Sequence, residues 1–227
     1  MKVVAIIVAA GSGKRMGHST KKQFLSIGSK PILAYTLDAF HSIDRVDRII
    51  LVIPKGWKRY CQKEIVEKYG YRKEIEVVTG GARRQDSVAA GLAIVPSGYE
   101  IVIIHDGVRP FVTRRMIIES IAKARKFGAC VVAVPVTDTI KLVKNGVIDR
   151  TVPREYLWRV QTPQTFRLSL IRKAYAKAMK DRFYGTDDAQ LVERMNRPVK
   201  VILGDYKNIK ITTREDLLLA ERILSKK

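Results

Sequence analysis

The sequence has few cysteines and no long apolar run, and each shortage excludes a class of protein. Only Cys61 and Cys130 occur in the 227 residues, and their separation fits neither a metal site nor a disulfide framework. The apolar runs, residues 3–10, 101–104 and 129–136, are far shorter than the roughly 20 residues of a membrane-spanning helix. The sequence therefore predicts a cytoplasmic protein with reduced thiols and no membrane partner.

Acidic residues are also scarce: 22 Asp and Glu stand against 43 Lys and Arg, which gives a formal net charge of +21. Residues 1–30 contain no acid at all. A basic surface concentrates anions, so the charge predicts nucleic acid, anionic lipid or a polyphosphate as partner. Aromatic residues make up only 7% of the chain, and no helix-turn-helix, zinc pattern or stacking platform occurs. A nucleic-acid-binding protein is therefore a disfavoured alternative.

Short β-branched runs alternate with helical patterns along the first two thirds of the chain. Strands are predicted at residues 3–8, 48–53, 77–78, 101–104, 129–134 and 199–203, and helices at 32–41 and 61–69. This order predicts an α/β fold: a three-layer, mostly parallel Rossmann-like sheet covered by helices. Ligands of such sheets sit outside the carboxyl ends of the strands. No linker divides the chain, so residues 1–227 are predicted to form one domain.

One segment, residues 141–152, departs from this order. Its apolar residues alternate around Asn145-Gly146, which is the strongest short signal for a hairpin. It predicts a protruding antiparallel β-arm at about residues 137–158. A lone two-stranded ribbon is marginally stable in water, so the arm is expected to pack on its own domain or on a second subunit. A homodimer is the resulting hypothesis.

The first predicted strand runs into AAGSGKRMG (residues 9–17), which KKQF (residues 21–24) follows. The spacing fits neither a Walker A loop nor the dinucleotide fingerprint. Small residues let backbone N–H groups approach phosphate oxygens closely, so the loop predicts a phosphate cradle with Arg15 and Lys22 as its cations. A plain strand-to-helix turn with solvated basic side chains is the alternative.

Six further motifs follow along the chain: GGARRQDSV (80–88), HDGVRPF (105–111), PVTDTIK (135–141), QTPQ (161–164), TDD (186–188) and NIKIT (208–212). With the loop, they resemble in order the 2-C-methyl-D-erythritol 4-phosphate cytidylyltransferase family of nucleotidyltransferases. The resemblance implies cytidylyl transfer from CTP to that sugar phosphate in the non-mevalonate isoprenoid pathway, with Mg²⁺ and a homodimer. Ribitol 5-phosphate and other polyol-phosphate cytidylyltransferases share most of these motifs and are the alternative.

The resemblance also implies roles for individual residues. The transition state would be stabilised by Arg15 and Lys22, and the sugar phosphate positioned by Arg154 and Lys210. The predicted nucleotide-binding residues are Ala9, Ala10, Gly11, Ser12, Gly13, Gly81, Ala82, Arg84 and Ser87. The predicted substrate-binding residues are Asp106, Arg109, Thr139, Thr162 and Thr186, with Asp106 also a candidate contact to Mg²⁺, through water or directly. A phosphate monoester is largely dianionic at neutral pH, so no general base is expected.

Several of these motifs also have a purely structural interpretation. Asp106 is suited to capping the turn before Pro110, and His105 is predicted to be packed rather than catalytic. Asp187 is predicted to cap a helix with Gln190 three residues on, as in a capping box. The last helix is predicted to begin with a cap made by Thr213 and Asp216.

Overall fold

A computed structural model describes residues 1–11 and 21–225. The strands are β1 (Lys2–Val8), β2 (Ser26–Ile27), β3 (Lys30–Pro31), β4 (Arg48–Ile53), β5 (Ile75–Thr79), β6 (Tyr99–Asp106), β7 (Ala129–Pro135), β8 (Ile140–Lys144), β9 (Val147–Val152), β10 (Trp158–Arg167) and β11 (Lys200–Leu203). The helices are α1 (Ile32–His41), α2 (Lys58–Tyr60), α3 (Arg84–Ala93), α4 (Arg114–Phe127), α5 (Leu168–Lys180), α6 (Asp188–Glu193) and α7 (Arg214–Leu224). A π-helical segment, Cys61–Glu67, continues α2.

The central sheet has the strand order β11-β7-β10-β6-β1-β4-β5. β1 pairs in parallel with β4 and β6, β4 with β5, and β11 with β7. Among the described strands of this central sheet, only β10 runs antiparallel to its neighbours, β6 and β7. The prediction of a mostly parallel, helix-covered sheet is confirmed. β10 itself was not predicted.

Two apolar layers enclose the sheet, one on each face. Along β1 the side chains alternate: Val3, Ala5 and Ile7 belong to one buried cluster, and Val4 and Ile6 to the other. This is the period-two pattern of a strand that is covered on both sides. Helices α1 and α4 cover the first face, and α3, α5 and α6 cover the second. The sheet is thereby held rigidly, and its carboxyl edge can position side chains.

Caps fix the starts of the later helices as the sequence predicted. The Thr213 side chain accepts from Asp216 N, and Asp216 accepts from Thr213 N, which is a capping box at α7. At α6, Asp187 accepts from Gln190 N at 2.9 Å. The Gln190 side chain accepts instead from Thr186 N at 2.8 Å. A capping box would have Asp187 N donate to the Gln190 side chain, so the second bond of the predicted box comes from the preceding residue instead.

The predicted β-arm is present as the antiparallel pair β8 and β9, which forms a sheet of its own. Its turn has φ of 50° at Asn145 and 78° at Gly146, as a type I′ turn requires at both central residues. The ribbon exposes the apolar side chains of Val143, Val147 and Ile148. The hairpin prediction is confirmed.

The structure describes both cysteines and the helices of the chain. Cys61 and Cys130 are buried and unpaired, and burial raises the pKa of each thiol to about 12, so neither is a reactive thiolate. Within residues 1–11 and 21–225, no helix combines the length and apolar character that crossing a membrane requires.

Candidate active site

Two cavities adjoin at the carboxyl ends of β1 and β6. The first, of about 240 Å³, is lined by Val8, Ala9, Ala10, Gly11, Lys22, Gln23, Gly81, Ala82, Arg83, Arg84, Ser87, Asp106, Val108 and Lys210. The second, of about 310 Å³, is lined by Arg84, Asp106, Arg109, Val160, Gln161, Thr162, Gln164, Thr186, Asp187 and Lys210. Arg84, Asp106 and Lys210 line both, so the two cavities are parts of one cleft, where a parallel sheet is expected to bind its ligand.

Small residues that follow β1 and β5 line one end of the first cavity. Ala9 N donates to Val52 O at 2.7 Å, which holds the exit of β1 against β4. At Gly80, an added Cβ would lie 2.5 Å from the Ala10 Cβ and 2.6 Å from the Ser87 Oγ, so only glycine allows this close approach. The lining residues Ala9, Ala10, Gly11, Gly81 and Ala82 are small as well, so a ligand can approach the chain closely at this end of the cavity.

Asp106, the last residue of β6, is surrounded by three cations. Its Oδ1 lies 3.1 Å from Arg84 Nε, and its Oδ2 lies 2.9 Å from Lys210 Nζ and 3.5 Å from Arg109 Nε. The carboxylate is buried, which alone would raise its pKa, but the three cations hold that pKa well below the usual range of an aspartate. Asp106 is therefore an anion that organises three positive side chains in the cleft.

Arg84 lines both cavities and is held by a second carboxylate, that of Asp188. Its Nη1 donates to Asp188 Oδ2 at 2.7 Å, while its Nε faces Asp106. Asp188 is buried at the start of α6 and also accepts from Tyr175 Oη at 2.5 Å. Because both edges of the guanidinium are held, Arg84 has one orientation in the cleft. Sequence reasoning treated Arg84 as a nucleotide contact and missed Asp188 and Tyr175 as its support.

His105 and Thr162 stabilise the turn that carries Asp106. His105 Nε2 lies 3.1 Å from Arg109 O, which only accepts, so Nε2 carries the ring proton. Nδ1 then accepts from the Thr162 hydroxyl at 3.0 Å, and that hydroxyl accepts from Asp106 N at 3.1 Å. Burial lowers the pKa of His105 to about 4, so the ring is neutral at pH 7. The prediction of a packed histidine is confirmed.

Gln164 on β10 fixes the wall of the second cavity. Its Oε1 accepts from Asp188 N and Ala189 N at 3.1 Å each, and its Nε2 donates to Asp187 at 2.7 Å. Thr186, at the exposed rim, donates to Gln190 Oε1 at 3.4 Å. Gln164 belongs to the QTPQ motif, but the sequence did not predict strand β10, so the contact between Gln164 and the start of α6 could not be predicted.

Not all predicted residues lie in this cleft. In the part of the chain that the structure describes, Arg154 and Thr139 lie at the base of the arm, exposed and outside both cavity walls. Arg154 Nη1 donates to Thr137 O at 2.6 Å. Ser12, Gly13 and Arg15 lie outside the described residues.

The family model of 2-C-methyl-D-erythritol 4-phosphate cytidylyltransferase (IspD) matches residues 3–226. The chain belongs to this family. Two curated relatives with this name, from Geobacter metallireducens and Caldanaerobacter subterraneus, are each 49% identical to it. The alignments cover 100% of this chain in both cases, and 99% and 100% of the relatives.

Solved structures of IspD-type enzymes share the fold. The 4-diphosphocytidyl-2C-methyl-D-erythritol synthase of Anaerococcus prevotii superposes with a TM-score of 0.88 at 38% identity, over 99% of this chain and 96% of that one. The 2-C-methyl-D-erythritol 4-phosphate cytidylyltransferase of Thermus thermophilus gives 0.83 at 33% identity, over 99% and 100%. The α/β fold that the sequence predicted is therefore the fold of this family.

The cleft of this IspD family member offers few oxygen donors to Mg²⁺. Among the described residues, no three His, Cys, Asp or Glu side chains cluster closely enough to hold a metal ion. Asp106 already has a cationic nitrogen at each oxygen. Mg²⁺ keeps most of its waters and phosphate ligands, so these residues fit an ion that arrives on a nucleotide and contacts Asp106 through water.

Proposed function

We propose that this chain transfers the cytidylyl group of CTP to 2-C-methyl-D-erythritol 4-phosphate, giving 4-diphosphocytidyl-2-C-methyl-D-erythritol and pyrophosphate in the cytoplasm. One observation carries the proposal: in a chain of the IspD family, a cavity lined at one end by small residues opens directly onto the three cations around Asp106. Two anions must meet for this reaction, and the cleft concentrates positive charge where they would meet.

In the proposed reaction, a phosphate oxygen of the sugar phosphate attacks the α-phosphorus of CTP. A bond forms between that oxygen and the α-phosphorus, and the bond from the α-phosphorus to the bridging oxygen breaks, so that pyrophosphate leaves. The dianionic nucleophile needs no general base. Catalysis then consists of positioning and of stabilising charge on the phosphoryl oxygens. We assign the latter role to Lys22 on the cavity wall and to Arg15.

The first cavity is proposed as the nucleotide site. Ala9, Ala10, Gly81 and Ala82 would contact the base and ribose through their backbones, and Ser87 through its hydroxyl. Gly11, with Ser12 and Gly13, would cradle the phosphates. Arg84, which lines both cavities, would also contact the phosphates and completes the proposed set. Ala9, Ala10, Gly11, Gly81 and Ala82 have small side chains or none, which supports a close fit around a small pyrimidine.

The second cavity is proposed as the sugar-phosphate site. Lys210 and Arg109 would hold the phosphate, and Asp106 would accept from a polyol hydroxyl. Thr162 and Thr186 line the same cavity and are proposed to bound the polyol. Arg109 is held in place for this role because its Nη1 donates to Asn208 O at 2.8 Å. Mg²⁺, proposed as the cofactor, would enter with CTP.

The reaction is tested by measuring pyrophosphate release from CTP with a panel of sugar and polyol phosphates. We expect release with 2-C-methyl-D-erythritol 4-phosphate in the presence of Mg²⁺ and none after chelation. Preferential release with ribitol 5-phosphate would instead assign the alternative polyol activity. No release with any polyol phosphate, combined with steeply salt-dependent binding to duplex DNA, would contradict the proposal and support the nucleic-acid alternative.

We also propose that residues 1–227 form one nucleotidyltransferase domain that dimerises through the arm at residues 137–158. The exposed fractions of Val147 (70%) and Ile148 (59%) support this, because such apolar side chains on a solvated two-stranded ribbon favour a protein partner. Arg154 and Thr139 would then serve the second subunit's cleft.

Sedimentation velocity tests the dimer. We expect a dimer at micromolar concentration, dissociated by Val147→Lys with Ile148→Lys and accompanied by loss of turnover. Val201→Lys is the matched control, because Val201 is also exposed (49%) but lies on the edge strand β11, away from the arm. A wild-type monomer at this concentration would contradict the proposal.

A further inference from the structure

Gln23 lies directly after Lys22, buried in the wall of the first cavity. Its Nε2 donates to Ala9 O at 2.5 Å, and a longer contact reaches Gly11 O at 3.4 Å. These two carbonyls precede Gln23 by 14 and 12 residues. One side-chain amide therefore joins the end of β1 to the segment that carries Lys22.

Phe24 anchors the same segment on its other side. Its ring stacks on Trp57 with centroids 4.8 Å apart and planes 16° apart, and meets the edge of Tyr60 at 5.1 Å. Backbone bonds from Phe24 N to Lys21 O and from Leu25 N to Lys22 O close the turn around Lys22. The aromatic contacts fix the turn against Trp57 and Tyr60, but neither ring belongs to β1, so these contacts do not set the register of the turn against β1.

The directional contact is the Gln23 amide. Its Oε1 is buried without a hydrogen-bond partner within residues 1–11 and 21–225, which is unfavourable for a polar atom. An apolar side chain of equal size would avoid that cost and would fill the same space. The feature that such a side chain could not supply is the donor to Ala9 O, which sets the position of Lys22 relative to the backbone of the first cavity.

From these contacts we infer that Gln23 is a positioning residue for Lys22, holding its ammonium group at the phosphates of a nucleoside triphosphate bound against Ala9 and Gly11. The inference rests on the proposed function. It assigns Gln23 a role that is exerted through its neighbour Lys22. A small displacement of a catalytic group can lower turnover by about 10²-fold, so the contact is large enough to measure.

A double-mutant cycle between Gln23 and Lys22 tests this. We expect Gln23→Met to lower kcat/KM for CTP by roughly tenfold to 10²-fold. In the Lys22→Met background the same change should have almost no further effect, because the group that Gln23 positions is already gone. Gln62→Met, the same substitution on the helical segment Cys61–Glu67, is the matched control and should leave kcat/KM unchanged.

Independent losses that multiply in the double variant would overturn the inference, since a general loss of structure acts whether or not Lys22 is present. A Gln23→Met variant with wild-type kcat/KM would also overturn it. If that variant does not fold, Gln23→Glu, which keeps the length but lacks the donor, replaces it in the cycle. An inactive wild-type protein would count against the proposed function alone. The double-mutant cycle would then use the affinity for CTP, measured by calorimetry, in place of kcat/KM.

Discussion

Asp106→Asn is expected to lower turnover by about 10²-fold or more, although the side chain hardly changes in size. The carboxylate holds Arg84 through one oxygen and Lys210 and Arg109 through the other. A neutral amide removes the charge that orients all three cations, and it presents an N–H group to one of them. Steady-state rates of pyrophosphate release measure the loss, and Asp44→Asn on an exposed loop is the matched control.

The same substitution is expected to lower the free energy of unfolding by about 3 kcal/mol at pH 7, because it leaves partly buried cations without their anion. The folded-state pKa of Asp106 lies far below its unfolded value of about 3.9. Its contribution to stability is therefore fully present at neutral pH and is lost as pH falls below about 4. Denaturation series should show wild type and variant converging toward low pH. A constant difference down to pH 3 would contradict this account.

The alternating strands and helices could be predicted because the pattern of neighbouring residues largely determines them. The helix at residues 32–41 and the strand at 48–53 have the observed bounds, since continuous β-branched and amphipathic runs leave little choice. The arm was equally predictable from Asn145-Gly146, whose backbone conformation few other pairs adopt readily.

β10 could not be predicted in this way. Its residues Gln161, Thr162 and Gln164 are polar, and Pro163 lacks the N–H that a central strand normally uses. The sheet accommodates them through a register shift between Val160 and Gln164. Their polar side chains form hydrogen bonds with residues around the cleft instead of with solvent. These bonds depend on tertiary contacts and leave no local pattern in the sequence.

In the site, too, some residues could be predicted from sequence motifs, and others could be found only from their contacts in the folded structure. Arg84, Asp106 and Lys210 belong to motifs and were predicted to act in the cleft, where the structure brings them together. Gln23 and Asp188 were not predicted as functional residues, although each lies inside a motif. Their partners are 14 and 104 residues away in sequence, so no spacing rule connects them.

The net charge of +21 predicted an anionic partner but could not identify which cations would meet it. The cations on the walls of the cleft are Lys22, Arg83, Arg84, Arg109 and Lys210, and Arg84 and Lys210 are shared between the two cavities. Three of them, Arg84, Arg109 and Lys210, are partly buried and paired with Asp106, which distinguishes them from a solvated surface charge. Exposed Lys and Arg elsewhere contribute to the overall field, which affects association rates more than chemistry.

Lys210→Met is expected to lower kcat/KM for the sugar phosphate by roughly 10²- to 10³-fold, the usual effect of removing one preorganised group that stabilises developing charge. Lys210 is the cation closest to Asp106 Oδ2, and it lines both cavities. It is therefore placed to hold a phosphate at the point where the two substrates meet. The KM for CTP should change much less.

The Lys210→Met and Asp106→Asn variants are expected to differ in the stability of the folded protein. The Lys210 side chain is 37% exposed, so its ion pair contributes only about 1 kcal/mol or less, and the variant should melt close to the wild type. Lys207→Met, on an exposed side chain of the same segment, is the matched control and should keep full activity. Equal losses for both substrates in the Lys210 variant would contradict a role specific to the sugar phosphate, and would instead place this cation at the nucleotide.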